Sequence, residues 1–235
     1  MSATDPSISI IIPTRNEVEN IVPLVSQIVA AAVPLHEIVF VDADSTDGTL
    51  DIIRSLAASH PIRVFEQDPG APGLAAAITA AAAVARGELL VVMDADLSHP
   101  PERINDLLAP LRTDAADLVI GSRYVTGGST PGWPVWRRVL SRAGSALAYP
   151  LTGVHDSMCG FFAIARSRLL DLATPAIGFK IAFEIIVRGR PTLKVVEIPI
   201  TFRDRVRGRS KMSLGVALLF LGRWYLAVCR RFIQN

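Results

Sequence analysis

Short apolar runs rich in β-branched residues alternate with helical segments along the first half of the chain. The apolar runs span residues 7–13, 37–44, 62–67, 88–96 and 117–123. The helical segments span residues 18–32, 49–59, 74–86 and 101–111. This alternation predicts an α/β domain with a mostly parallel sheet and helices on both of its faces.

Acidic side chains end two of the apolar runs. Asp42 and Asp44 end the second run, and Asp94 and Asp96 end the fourth. In open parallel sheets, ligands bind beyond the carboxyl ends of the strands. The four carboxylates are therefore expected at one edge of the sheet, and that edge is expected to carry the active site.

The cations of the chain are concentrated in two clusters, although the net charge is only +2. Residues 203–211 carry five cations and one anion, and Arg137, Arg138 and Arg142 form the second cluster. A global basic field for nucleic acid is absent, which argues against that partner. Local clusters are typical of phosphate ligands and of anionic surfaces.

The two cysteines, Cys159 and Cys229, have neither disulfide nor metal-ligand spacing. The first residues lack the positive start and long apolar stretch of a signal peptide. Both features predict a cytoplasmic protein.

The second half of the chain has a different pattern. A loop rich in Gly and Pro spans residues 125–134, and an amphipathic stretch follows at residues 135–151. Residues 155–165 and 192–202 are predicted to form further strands.

The last apolar segment spans residues 214–233, but Arg223 interrupts it. Its apolar face and the residues Trp224 and Tyr225, which favour the headgroup zone, predict a helix lying on a bilayer surface. The alternative is a helix packed on the domain's own core. The predicted division is a catalytic domain at residues 1–212 and an interfacial helix at residues 213–235.

The segment MDADLSHPPE at residues 93–102 indicates a metal site. Asp94 and Asp96 end a buried strand, where two charges need a cation to offset the cost of burial. Hard oxygen ligands suit Mg²⁺ or Mn²⁺, which bridge the phosphates of a nucleotide.

Two other strand ends favour nucleotide binding. In VDADSTDGT at residues 41–49, Asp42 could accept hydrogen bonds from a base or a ribose, while Ser45 and Asp47 are expected to cap the next helix. In IIIPTRNEVEN at residues 10–20, the backbone after Pro13 can approach a nucleotide. A capped turn and a plain strand-to-helix turn are the alternatives for these two segments.

Together and in this order, the three segments resemble the family 2 glycosyltransferases, which have the GT-A nucleotide-sugar-binding fold. The segment GSRYVTGG, the region around Asp156 and Gly160, and the segment RGRSK narrow the resemblance to polyprenol- and dolichol-phosphate hexose synthases. Among these, the chain is most similar to the mannose synthases. The resemblance implies a nucleotide-sugar donor, with GDP-mannose favoured over a UDP-hexose, and a polyprenyl phosphate acceptor at a membrane surface.

The resemblance also implies roles for individual residues. Those expected to bind the donor are Pro13, Arg15, Glu17, Asp42, Asp94, Arg205, Arg209 and Lys211. Those expected to hold the metal are Asp94, Asp96 and Ser98. Those expected to bind the acceptor phosphate are Arg123, Arg137 and Ser141, and Asp156 is expected near the sugar. Asp96, Arg123 and Asp156 form the expected catalytic set.

The implied chemistry needs no strong general base, because a phosphate monoester is already anionic at neutral pH. Positioning and charge stabilisation of the departing nucleotide would supply the catalysis. In-line attack on the anomeric carbon predicts inversion. His99 is expected at a helix start, without a catalytic role.

The sequence departs from the family pattern in three places. Ala43 replaces the second aspartate of the usual V-D-D, and Ser98 stands where many members have a metal-coordinating glutamine. Residues 68–78 lack the basic residues usual there.

Three other functions were compared with the transferase. A nicotinamide-dependent dehydrogenase is disfavoured, because the segment GAPGLAA lacks the G-x-G-x-x-G spacing. A sugar nucleotidyltransferase would also use paired aspartates and a metal, but it needs neither the amphipathic C-terminal segment nor the arginine cluster. A catalytically silent, membrane-associated binding module is suggested by Ala43 and Ser98, and the retention of Asp94 and Asp96 argues against it.

Overall fold

A seven-stranded mixed sheet forms the centre of the protein in a computed structural model that describes residues 6–67, 73–173 and 180–204, with Gly222 and Trp224. The strands are β1 (Ile8–Thr14), β2 (Glu37–Asp42), β3 (Ile62–Glu66), β4 (Leu89–Val92), β5 (Leu118–Ser122), β6 (Phe162–Ala165) and β7 (Val195–Pro199). Their order across the sheet is β3-β2-β1-β4-β6-β5-β7. Only β6 runs antiparallel to its neighbours, β4 and β5, so the sheet is mostly parallel, as predicted.

Helices flank the sheet. They are α1 (Val18–Ala30), α2 (Thr49–Leu56), α3 (Gly73–Val84), α4 (Ile104–Arg112), α5 (Val135–Thr152), α6 (Arg166–Ala173) and α7 (Ile181–Gly189), with a 3₁₀ turn at Pro101–Arg103 before α4. Every residue of β2 and of β4 is buried. Strands without an alternation of buried and exposed residues are covered on both faces, and this accounts for their continuous apolar sequences.

The prediction of a strand over residues 155–165 was wrong in its first part. Residues 155–158 form a turn, and only Phe162–Ala165 pairs as β6. The polar side chains His155 and Asp156 are held by tertiary contacts, described below, instead of by a strand ladder. The strand predicted over residues 192–202 is confirmed but shorter, and helices α6 and α7 were not predicted.

The predicted interfacial helix at residues 214–233 lies outside the described residues, apart from Gly222 and Trp224. The indole Nε1 of Trp224 donates a hydrogen bond to the carbonyl of Leu147, 2.9 Å away. The ring packs beside Ala148 and Phe183, from α5 and α7. Trp224 therefore packs on the protein itself, as in the alternative interpretation of this segment. The boundary at residue 212 between the catalytic domain and the interfacial helix remains a prediction.

Within the described ranges, no helix combines the length and the apolar character that crossing a membrane requires.

Candidate active site

The loop after β4 carries Asp94 and Asp96 at the carboxyl edge of the sheet. Leu97 adopts a left-handed conformation with φ 62°, which turns the chain sharply after the second aspartate. The backbone N–H of Ser98 donates to Asp96 Oδ1 at 3.1 Å, and that of Asp94 donates to His99 Nδ1 at 3.0 Å. The loop is thus folded around its own polar groups.

His99 is a buried support for this loop, two residues before the 3₁₀ turn at Pro101–Arg103. Burial lowers the pKa of His99, although the nearby carboxylates oppose the change. Because Nδ1 accepts a hydrogen bond, the neutral ring carries its proton on Nε2, which lies 4.0 Å from Asp94 Oδ2. Its ring stacks on Phe161 and meets Phe202 edge-on.

The oxygens around Asp94 fit a hard divalent cation. The Asp94 side chain is 38% exposed, whereas Asp96 is buried. The buried Ser98 Oγ has no hydrogen-bond partner within the described part of the chain. A Cβ at Gly160 would lie 3.3 Å from Asp94 Oδ1, so the glycine keeps space open beside the carboxylate.

Groups of three or more His, Cys, Asp or Glu placed to hold a metal are absent from the described residues. Two carboxylates and one hydroxyl would therefore leave several coordination positions for phosphate oxygens and water. Mg²⁺ commonly binds in this way, through one or two carboxylates and the phosphates of a substrate.

Asp42 lies at the end of β2, beside Thr14 of β1. It is buried, and it accepts hydrogen bonds from the Ser45 N–H at 2.9 Å and from the Ser45 hydroxyl at 2.5 Å. The expected capping by Ser45 was wrong, because its oxygen accepts from the Asn16 N–H, and Gly48 occupies the N-cap of α2. Asp42 therefore shapes the turn after β2 through Ser45, in addition to the nucleotide contact that the sequence predicted for it.

Asp47 fastens the starts of two helices. One carboxylate oxygen accepts from the Thr49 N–H and hydroxyl at the start of α2, and the other accepts from the Val18 N–H at the start of α1. Burial alone would raise the pKa of Asp47, but these hydrogen bonds outweigh it and lower the pKa. The loops after β1 and β2 are thus locked together.

The predicted donor-binding residues near the N-terminus meet at this double turn. Pro13 is the last residue but one of β1, next to Val41 of β2, and Arg15 and Glu17 follow the strand on the way into α1. The Glu17 N–H donates to Thr49 Oγ1 at 2.9 Å. The structure thus places Pro13, Arg15, Glu17 and Asp42 at one edge of the sheet.

Arg123 follows β5 directly and forms a buried ion pair with Asp156. Its Nε and Nη2 each lie 2.7 Å from an oxygen of Asp156, and its backbone N–H donates to the same carboxylate at 2.9 Å. Burial opposes the charge of the guanidinium, but this carboxylate raises the pKa of Arg123 far above its ordinary value. Asp156 is fully buried, so both groups are fixed in direction.

The predicted acceptor-phosphate residues lie around an aromatic cluster beside this pair. The guanidinium of Arg137 lies 4.0 Å from the centre of the Trp133 ring, and that of Arg123 lies 5.5 Å from it. The Tyr124 hydroxyl donates to Ser141 Oγ at 2.6 Å. Arg137 also bonds Asp204 at 2.8 Å. Arg123, directly after β5, is therefore brought together with Arg137 and Ser141, which lie one turn apart on α5.

Lys180 is a residue that sequence reasoning missed. Its Nζ donates to the carbonyl of Met158 at 3.2 Å. Burial lowers the pKa of Lys180, the charge of Arg123 lowers it further, and Asp94 opposes both. A lone lysine before an apolar helix carries no motif, so only the fold could show that it lies close enough to Asp94 and Arg123 to feel their charges.

Three of the predicted donor-binding residues, Arg205, Arg209 and Lys211, lie outside the described residues.

Comparison with known proteins identifies the family. The profile described as Glycosyl transferase family 2 matches residues 9–173. The chain belongs to this family. It is a glycosyltransferase with the GT-A fold, and the sequence resemblance is confirmed.

Named relatives match nearly all of the chain. A dolichol-phosphate mannosyltransferase of Pyrococcus furiosus is 40% identical over 88% of this chain and 59% of its own length. The chain thus spans less than two thirds of that relative. A dolichol-phosphate mannosyltransferase of Saccharomyces cerevisiae is 35% identical over 91% of this chain and 84% of its own. A polyprenol monophosphomannose synthase of Mycolicibacterium smegmatis is 42% identical over 87% of this chain and 80% of its own length.

Solved structures support the fold. Glucosyl-3-phosphoglycerate synthase from Mycobacterium tuberculosis, crystallised with Mn²⁺, uridine-diphosphate-glucose and phosphoglyceric acid, superposes with a TM-score of 0.70. The match covers 93% of this chain and 80% of that chain at 24% identity. At this identity the likeness carries the fold alone.

Proposed function

We propose that this glycosyltransferase moves a hexose from a nucleotide-sugar donor to a polyprenyl or dolichyl phosphate at a membrane surface, with inversion. Mannose, from GDP-mannose, is the favoured sugar, because the named relatives are mannosyltransferases. The observation that carries the proposal is that the acidic loop after β4 and a cluster of arginine and aromatic side chains lie together at one edge of the sheet, joined through the rings of His99 and Phe202.

On the donor side, Asp94, Asp96 and Ser98 would hold Mg²⁺ or Mn²⁺. The bound cation would neutralise charge that develops on the departing nucleotide diphosphate. Pro13, Arg15, Glu17 and Asp42 line the neighbouring turn and would bind the nucleoside. Arg205, Arg209 and Lys211 remain proposed phosphate contacts.

On the acceptor side, Arg123, Arg137 and Ser141 would bind the lipid phosphate. The Nη1 group of Arg123 is not used by Asp156, so it remains available to a phosphate oxygen. That oxygen attacks the anomeric carbon, and the bond from this carbon to the diphosphate breaks. Because Asp156 is buried against Arg123, we assign it the orientation of this guanidinium.

Helix α5 supports a membrane-bound acceptor. Four of its large apolar side chains, Val135, Trp136, Val139 and Leu140, are between 56% and 67% exposed. In a helix these positions share one face, and the exposed Arg138 and Arg142 border it. Exposed apolar groups with a tryptophan and flanking cations are typical of contact with an anionic bilayer surface. We therefore place the protein peripherally, on the cytoplasmic face of a membrane.

The proposal is tested by a panel of donors. The protein is incubated with polyprenyl phosphate, Mn²⁺ or Mg²⁺, and radiolabelled GDP-mannose, UDP-glucose or UDP-N-acetylglucosamine in turn. We expect label in the organic phase from GDP-mannose and none with Asp96→Ala. Lipid label from another donor would replace mannose as the proposed sugar. Absence of lipid label from every donor, with folded protein, would contradict the proposal and favour the silent binding module.

A further inference from the structure

Glu197 is a nearly buried carboxylate on an edge strand that accepts hydrogen bonds from backbone N–H groups and also contacts the ring of His155. It lies on β7, in register with Ile120 of β5, and its side chain is only 11% exposed. Its Oε1 accepts from the Asp156 N–H at 2.9 Å. Its Oε2 accepts from the His155 N–H at 2.8 Å and lies 2.9 Å from the His155 ring nitrogen. One carboxylate thus holds two successive backbone N–H groups.

The held segment carries Asp156, whose carboxylate fixes Arg123. Three donors of Arg123, namely N, Nε and Nη2, reach the two oxygens of Asp156. Arg123 itself follows β5, the strand paired with β7. A closed loop of contacts therefore runs from Glu197 through the 155–156 backbone and Asp156 to Arg123, and back through the pairing of the two strands.

This arrangement fixes the Asp156 carboxylate from both ends. The side chain is held by Arg123, and the backbone is held by Glu197. Without the Glu197 carboxylate, the partly buried N–H of Asp156 would lose its acceptor, and the more exposed N–H of His155 would lose the same anchor. The cost of the unpaired Asp156 N–H is relieved only if the turn moves. Asp156 would then move, and the guanidinium of Arg123 with it.

We infer that Glu197 is a positioning residue for the reaction: it orients Arg123 through the backbone of His155 and Asp156, without touching substrate. The effect on transfer rests on the proposed role of Arg123 at the acceptor phosphate. A displacement of about 1 Å in a positioned group can lower a rate by about a hundredfold. The loss is therefore expected in acceptor kinetics, while donor binding is retained.

The test compares three variants. Glu197→Ala removes both acceptor oxygens, and Glu197→Gln keeps one. His155→Ala removes the ring, with its contacts to Glu197 and Tyr149, while keeping the backbone N–H. For kcat/KM of polyprenyl phosphate, we expect a loss of about a hundredfold in Glu197→Ala, a smaller loss in Glu197→Gln, and nearly full activity in His155→Ala. Donor affinity, measured by calorimetry, stays within about twofold. A uniform loss of donor and acceptor affinity, or full activity in Glu197→Ala, would overturn the inference.

A second readout does not depend on transfer. The ¹⁵Nε–¹H signal of Arg123, assigned by its absence in Arg123→Lys, reports the hydrogen bond to Asp156. We expect this signal to shift or exchange faster in Glu197→Ala and to persist in His155→Ala. An unchanged signal in folded Glu197→Ala would refute the positioning role. If the signal responds while the wild-type protein transfers no sugar to lipid, the proposed function fails and the positioning contact stands.

Discussion

Both edges of the parallel sheet carry buried acidic side chains, but their surroundings differ. At the amino edge, Glu37 begins β2 and accepts hydrogen bonds from Ser9 Oγ at 2.8 Å, the Arg86 N–H at 2.6 Å and Arg63 Nη1 at 2.9 Å. The Ser9 hydroxyl also accepts from the Gly87 N–H at 2.8 Å. Every oxygen of this carboxylate is used by the protein itself.

At the carboxyl edge, the acidic loop retains capacity for a ligand. The Asp94 carboxylate accepts no hydrogen bond from the residues that the structure describes, and the Ser98 hydroxyl is buried without a partner among them. Other buried hydroxyls, such as that of Ser145, also have no partner among the described residues, so the Ser98 hydroxyl is distinguished by its place in the loop that carries Asp94 and Asp96. A ligand bound there would satisfy it. At the amino edge a closed set of contacts stabilises the fold, while at the carboxyl edge an incomplete set of the same chemistry marks a candidate site.

The largest expected effect is that of Asp96→Asn, which should abolish most of the activity without a comparable loss of stability. The substitution keeps the shape and the acceptor for the Ser98 N–H but removes a charge that the metal needs, so transfer should fall by about a thousandfold. The melting temperature should change far less than the rate, because the substitution preserves the side-chain shape and the acceptor for the Ser98 N–H. Initial rates with labelled donor and a thermal melt measure both effects.

The control for this prediction is Asp106→Asn, which removes an exposed ion pair with Arg103 outside the site. It should leave transfer unchanged. If Asp96→Asn retained most of the activity, the assignment of the acidic loop as the metal site would be wrong.

Glu37→Gln should give the opposite result, with lower stability and unchanged transfer. The amide cannot accept from Arg63 and the Ser9 hydroxyl as the carboxylate does, and hydrogen bonds to a buried charge are lost. We expect the free energy of unfolding to fall by about 2 kcal/mol, measured by urea denaturation. Glu66→Gln, at an exposed pair with Arg54, should cost less than about 0.5 kcal/mol. Equal effects of the two substitutions would contradict the closed character of the amino edge.

The sequence predicted the carboxyl edge better than the amino edge, for a physical reason. Asp42, Asp94 and Asp96 each follow a continuous apolar run, so strand direction alone places them together. The partners of Glu37 come from separate segments, residues 9, 63 and 86, and no local pattern links them. Contacts of this kind depend on strand order, which the sequence pattern does not reveal.

The turn at residues 155–158 shows a second limit. The apolar residues 161–165 predict a strand, and the prediction extended it back to His155. Glu197 takes the backbone N–H groups of His155 and Asp156, so these residues leave the ladder. Asp156 was thus recognised as a site residue by resemblance, but its partner and its supporting carboxylate became visible only in the fold.

Ser98→Ala tests whether the unpaired hydroxyl at the carboxyl edge contributes to binding of the metal. If the hydroxyl contributes to cation binding, its removal should weaken Mn²⁺ affinity by about tenfold, as changes around metal ligands commonly do. Titration followed by electron paramagnetic resonance, with nucleoside diphosphate present, measures the affinity. Ser145→Ala on α5 is a matched control, because its hydroxyl is also buried and without a partner among the described residues. Equal Mn²⁺ affinity in the wild type and Ser98→Ala would remove Ser98 from the site.

The smallest expected effect is the pH dependence of the stability that Glu37 contributes. Acidification removes this contribution by protonating the carboxylate, without a substitution. Burial by itself would raise the pKa of Glu37, but hydrogen bonds from the Arg86 N–H, Arg63 and Ser9 outweigh it and lower the pKa below 4.5. A carboxyl whose pKa is lower in the folded state than in the unfolded state stabilises the protein at every pH above the unfolded-state pKa. This stabilisation is lost as the pH falls through the folded-state pKa. The difference in unfolding free energy between wild type and Glu37→Gln should therefore be constant at neutral pH and shrink below 4.5.

Urea denaturation of the wild type and Glu37→Gln, at neutral and acidic pH, measures whether the difference in unfolding free energy shrinks on acidification. Asp47 also has a lowered pKa, but it is present in both proteins, so the difference between them isolates Glu37. A difference that widened on acidification would mean that Glu37 is held in its protonated form. The amino edge would then resemble an incomplete polar site, and the contrast between the two edges would no longer distinguish structural carboxylates from functional ones.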